Sequence, residues 1–226
     1  MKHKKTVSPS AILKIDAFWK WFSKNRVQIE MAIRQRENKL QILTNLDKRI
    51  SNISKYVSFL LKGPNADDTK IFIIIFMVGG QLKKVRWAKA FENSAPSFPN
   101  WKIQALIQPC ENLEVIKSGN DNPIIYQDFE LKISEMYFNL KDYDIYKKNI
   151  NIVMYLQNYK YHYENEYLEE IVHIALEELL GEIAFRNSIS NIEIAQIPNK
   201  KENLLPLYEL PQYIDLIKNS NRKLKI

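Results

Sequence analysis

The chain holds one cysteine, three histidines and five glycines in 226 residues. Each scarcity removes a class of protein. A lone thiol, Cys110, makes no internal disulfide, so a disulfide-stapled scaffold is excluded. As a nucleophile Cys110 would need an activating base, and only His3, His162 and His173 exist. Sequence places none of them beside it, so Cys110 reads as a structural or surface thiol. Five glycines against nine prolines exclude collagenous and Gly-rich linker classes. The longest apolar run, Ile71 to Val78, is far short of the roughly 20 residues a membrane helix needs. The leader Met1-Lys2-His3-Lys4-Lys5 is basic, but Lys14 and Asp16 interrupt the apolar residues after it, so no signal-peptide apolar region forms. A soluble cytoplasmic protein is expected.

The apolar content is ample for a core. Hydrophobic residues make up 46% and aromatics 12%, well above a disordered composition. The net charge of +7 is unevenly spread. Residues 1–100 carry 19 Lys and Arg against 7 Asp and Glu, a net of +12, while residues 101–226 carry 14 against 19, a net of −5. The two halves either attract each other or present opposite fields to partners.

Apolar periodicity predicts a helix over 11–36, capped by Ser10, with Ile15, Phe18, Trp19, Phe22, Ile29 and Ile33 on one face. Asn25 and the charges beside it are a candidate break in its middle. Leu40, Leu43, Leu46, Ile50 and Ile53 continue with a second helix. A hairpin comes next, Tyr56–Leu61 with Ile71–Val78, whose second strand is apolar on both faces and therefore central. Residues 81–94 return to helix. Strands are expected at Trp101–Ile107, weakly at Leu113–Lys117, within Tyr126–Ile133, at Met136–Leu140, at Ile150–Leu156 and at Ile189–Ile197. A helix over 164–181 ends at Gly181, and Pro211 opens a short last one through Ile217. The expected fold class is α+β: a helical pair over 11–54, then a mixed or antiparallel sheet of about five or six strands within 55–218, helices packed on it. A basic leader (1–10) and a basic tail (219–226) flank it.

Catalytic patterns are thin. Val78-Gly79-Gly80-Gln81-Leu82-Lys83-Lys84 joins a strand to a helix but has neither phosphate-loop nor dinucleotide glycine spacing. Glu170 and His173 have Glu-x-x-His spacing on one helix face, but a ferritin-like site needs two such motifs plus further carboxylates. There is no Gly-x-Ser-x-Gly elbow. No catalytic residue, metal site or cofactor is assigned.

Two binding chemistries remain. The lead expectation is a specific protein partner, of the immunity-like or adaptor-like kind. Trp21, Tyr159, Tyr161 and Tyr163 are its aromatic anchors, and Glu166, Glu169, Glu170 and Glu177 form an acidic face for a basic protein. The alternative is nucleic acid on the basic helical pair, through Lys20, Lys24, Arg34, Arg36, Lys48 and Arg49. An unrecognised hydrolase or metal enzyme stands third.

Four blocks carry a resemblance: Phe18-Trp19-Lys20-Trp21-Phe22; Ala95-Pro96 with Asn100-Trp101-Lys102 and Ala105-Leu106; Leu179-Leu180-Gly181-Glu182 before Ile192-Glu193-Ile194; and Leu205 through Pro211. Their order is similar to that in a family of uncharacterised bacterial proteins with an N-terminal helical segment and a C-terminal α+β part. The resemblance implies a small soluble accessory protein and no catalytic residue.

Overall fold

A computed structural model describes residues 6–35, 39–64, 71–126, 129–144, 146, 148–157, 159, 164–200 and 203–223. The fold is α+β, and the chain divides into two compact units, 1–107 and 108–226. That division falls inside the stretch expected as one sheet domain. It also nearly coincides with the charge boundary. The first unit carries 20 Lys and Arg against 7 Asp and Glu, a net of +13, and the second 13 against 19, a net of −6.

In the first unit α1 (Pro9–Gln35) and α2 (Lys39–Ser51) precede β1 (Ser58–Lys62), β2 (Phe72–Met77), α3 (Val85–Asn93) and β3 (Trp101–Ala105). The cap of α1 is Ser8 rather than Ser10: its Oγ accepts the Ala11 N–H at 3.3 Å, and Pro9 fits the first helical position because its missing N–H is not needed there. Asn25 does not break the helix, and its Nδ2 donates to the Trp21 carbonyl at 2.8 Å. Ile15, Phe18, Trp19, Phe22 and Ile29 are all buried, as the periodicity predicts. β2 is central, antiparallel to β1 and parallel to β3, with α3 as the crossover. The core here is aromatic. Phe76 stacks on Phe91 with centroids 4.6 Å apart, Phe72 stacks on Trp101 at 5.2 Å, and the buried Trp19 Nε1–H donates to the Phe91 carbonyl at 2.9 Å.

The second unit contains α4 (Leu113–Lys117), β4 (Ile124–Tyr126), β5 (Phe129–Leu131), β6 (Tyr137–Asp144) and β7 (Asn149–Leu156). Next come α5 (Leu168–Leu180), α6 (Glu182–Ser188), β8 (Ile189–Gln196), β9 (Leu205–Pro206) and α7 (Leu210–Lys223). The main sheet has the order β8-β7-β6-β9, with β7 and β8 parallel and the other pairs antiparallel. β7 buries Ile150, Ile152, Met154 and Leu156 on one face. The apolar stripe of α5, from Leu168 to Leu180, is buried in the same core.

Several expectations need correction. The strands form sheets of three, two and four rather than one of five or six. Leu113–Lys117 is a helix, because Ile116 alone is buried, Glu114 and Lys117 pair one turn apart at 2.7 Å, and Gly119 at φ 75° closes the turn. Gly181 ends α5 as expected, but at φ 76° it only turns a corner into α6, which buries Phe185. The final helix runs to Lys223, beyond Ile217. No helix among the described residues is long and apolar enough to cross a membrane.

Candidate functional site

The predicted cations of the helical pair separate into two kinds. Lys20, Lys24 and Lys48 are exposed. Arg34 and Arg49 are exposed as well, but the Arg34 guanidinium lies 5.1 Å from the Phe72 ring centroid and that of Arg49 lies 4.1 Å from Trp21. Arg36 is outside the described residues. Trp21 is half-buried beneath Arg49 and 6.2 Å from Phe18, so its ring is engaged within its own unit.

The acidic helix face is likewise partly occupied. Glu166 and Glu169 are exposed, whereas the Tyr126 hydroxyl donates to Glu170, which raises the phenol's pKa above its ordinary value. Glu177 accepts from Arg186 Nη2 at 2.9 Å and Nε at 3.1 Å. Tyr159 packs half-buried against the second unit's core. Tyr161 and Tyr163 lie outside the described residues. The Glu-x-x-His pair is not brought together as a ligand set. Glu170 serves Tyr126, while the His173 ring lies 5.6 Å from Phe185. Burial first, and the Arg186 charge second, hold His173 below its usual pKa, with Glu177, Glu169 and Glu170 opposing. Among the described residues no three His, Cys, Asp or Glu side chains gather in metal-binding geometry.

A groove in the first unit was not anticipated from the sequence. It measures about 1640 Å³ and runs between the first turns of α1 and the segment Leu82–Ser94. Two large apolar side chains stand open in it, Leu13 at 70% exposure and Leu82 at 63%. Lys83, Lys84, Arg86 and Lys89 line it, Lys84 with its Nζ 3.3 Å from the Tyr56 ring centroid; the one carboxylate among the described lining residues is Glu92, whose Oε1 already accepts the Ala105 N–H at 2.9 Å. The local chain path explains the arrangement. Gly79 at φ 59° and Gly80 at φ 72° reverse the chain after β2, a left-handed conformation that glycine adopts without a Cβ penalty. A 3-10 turn over Leu82–Lys84 then feeds α3, whose buried face (Ala88, Ala90, Phe91) leaves Arg86 and Lys89 outward. The available signal was Leu82-Lys83-Lys84, one residue past the glycines. Leu13, off the buried arc of α1, was the other half of it.

Cations line the groove around exposed apolar side chains, and no His or Cys lines it among the described residues. Comparison with protein-family models, with curated proteins and with solved structures gave no match.

Proposed function

We propose that this chain is a non-enzymatic binding module for another protein, taking an acidic, partly apolar segment of that partner in the first unit's groove. The observation that carries the reading is the pairing of exposed Leu13 and Leu82 with four cations and one already-engaged carboxylate. Such a lining rewards a ligand that brings carboxylates to the rim and aliphatic side chains to the floor. An amphipathic helix with an acidic polar face has that form. Charge complementarity speeds encounter and rejects basic competitors, while the desolvated apolar contact supplies most of the affinity.

Nucleic acid satisfies the rim but offers the exposed leucines little. An anionic membrane surface satisfies both, and is separated by experiment. The test is fluorescence anisotropy with a labelled amphipathic helix bearing Glu on its polar face and Leu on its apolar face. Controls are the same peptide with Lys for Glu, a single-stranded RNA, and phosphatidylglycerol vesicles. The reading expects saturable binding of the Glu peptide alone, weakened at least about tenfold by Leu13→Glu and by the pair Lys83→Glu with Arg86→Glu. Both sites are exposed or half-exposed, so the fold should survive the substitutions. Tighter binding of RNA, with a steep salt dependence, returns the function to nucleic acid. Vesicle binding that Leu13→Glu abolishes, with no peptide binding, replaces the partner by a lipid surface.

A further inference from the structure

The second unit carries a different opportunity, independent of the basic groove. β8 is the terminal strand of its sheet: it pairs with β7, and no strand among the described residues pairs with its outer side. Its backbone polarity can be read from one bond. The Ile197 N–H donates to the Leu156 carbonyl at 3.2 Å, so the residues in phase with Ile197 face β7. By strand alternation the N–H and C=O groups of Ile192 and Ile194 point away from β7, to the outer edge. Unpaired edge groups of this kind template the addition of another strand.

Beside that edge lies a cavity of about 300 Å³. Its walls include Ile192 and Ile194 of β8, Val172 and His173 of α5, and Phe185 and Arg186 of α6. A strand edge running alongside a helix, with a pocket between them, is the arrangement in which an added peptide lays alternate side chains into the pocket. The charges at the cavity select among peptides. Glu169 lines it, exposed and in no ion pair among the described residues, while Arg186 is held by Glu177. Glu193 on the same strand is paired with Lys141. The unit as a whole is −6, so an incoming cation meets a favourable field and a waiting carboxylate.

We propose that the outer edge of β8 binds an extended basic peptide segment of a partner by strand addition, an apolar side chain of that segment filling the cavity and a neighbouring Lys or Arg meeting Glu169. This site and the groove of the first unit would give the chain two binding chemistries of opposite sign.

The test uses the full chain and two pools of end-capped peptides. Both have a central Leu and otherwise degenerate sequence, one with Lys at alternating flanking positions and the other with Glu there. Amide hydrogen exchange is followed residue by residue. The Lys pool should slow exchange at Ile192 and Ile194 by about tenfold or more, and the Glu pool should not. Glu169→Lys should weaken the Lys pool about fivefold or more. Ile194→Pro removes an outward N–H without breaking the ladder to β7, and should abolish binding, with Ile194→Ala as the control for the side chain. If the proline variant does not fold, the exchange measurement on the unaltered chain decides. Unchanged exchange at Ile192 and Ile194 under saturating Lys peptide overturns the proposal, as does equal binding of both pools. Loss of Lys-pool binding in Lys83→Glu with Arg86→Glu would also overturn it, by placing the peptide on the first unit.

Discussion

The guanidinium carbon of Arg49 on α2 sits 4.1 Å from the centroid of the Trp21 ring on α1. Trp21, a candidate anchor for a protein partner, and Arg49, a candidate nucleic-acid contact, thus face each other inside one unit. Their contact joins the two helices. A guanidinium over an indole at an exposed site contributes about 0.5–1 kcal/mol. Arg49→Ala should therefore lower the unfolding free energy by about that amount, and the cost of Trp21→Ala should be smaller by the same amount when Arg49 is already gone. A double-mutant cycle in urea reads the coupling directly; additive single effects would show that the contact contributes nothing.

Trp19 is the more severe position. Its indole N–H donates to the Phe91 carbonyl in the buried core of the first unit. Trp19→Phe keeps an aromatic ring but strands a buried acceptor, at a cost of about 1–3 kcal/mol. Trp21→Phe, at a half-buried ring on the surface of the same helix, should cost less. The order of the two variants in a urea titration checks the assignment, and the reverse order would refute it.

Gly181 separates α5 from α6 at φ 76° and ψ 151°. That region is essentially closed to residues with a Cβ, so Gly181→Ala should destabilise by about 1–3 kcal/mol. Thermal unfolding is the readout. An unchanged midpoint would mean that the corner relaxes at no cost.

That glycine also marks where the sequence was legible and where it was not. β2 was readable because Ile73, Ile74, Ile75 and Phe76 leave no polar face, which forces a central place in a sheet. β7 was readable because Ile150, Ile152, Met154 and Leu156 alternate with less buried residues. α4 was not, since in five residues Leu113, Val115 and Ile116 satisfy a strand pattern and a helix pattern equally. α6 was hidden because a glycine at a helix end signals a stop whether or not a new helix begins next. The basic groove was beyond reach for a different reason. Leu13 and Leu82 are 69 positions apart, and only the packing of α1 and α3 in one unit brings them to one surface. The candidate cations read from the sequence lie on α1 and α2, two of them over aromatic rings, whereas the groove is lined by cations that follow Gly80, of which Lys84 lies over the Tyr56 ring.

The remaining prediction concerns pH and His173. Its folded-state pKa lies below the usual 6.5, chiefly because burial disfavours the charged ring and secondly because Arg186 repels it. The unfolded chain therefore binds a proton more readily than the folded one. Above pH 6.5 the imidazole is neutral in both states and costs nothing. As pH falls through 6.5 the unfolded state gains the proton first, so stability declines until the folded-state pKa is passed and then levels off. Carboxylates titrate lower, and a His173→Gln variant isolates the histidine's share. Urea midpoints taken near neutrality and at about pH 5.5 should show a larger acid loss in the parent chain than in the variant. Arg186→Ala should reduce that loss only in part, because burial remains. Equal losses in parent and His173→Gln would mean that the ring accepts its proton as easily in the fold as out of it.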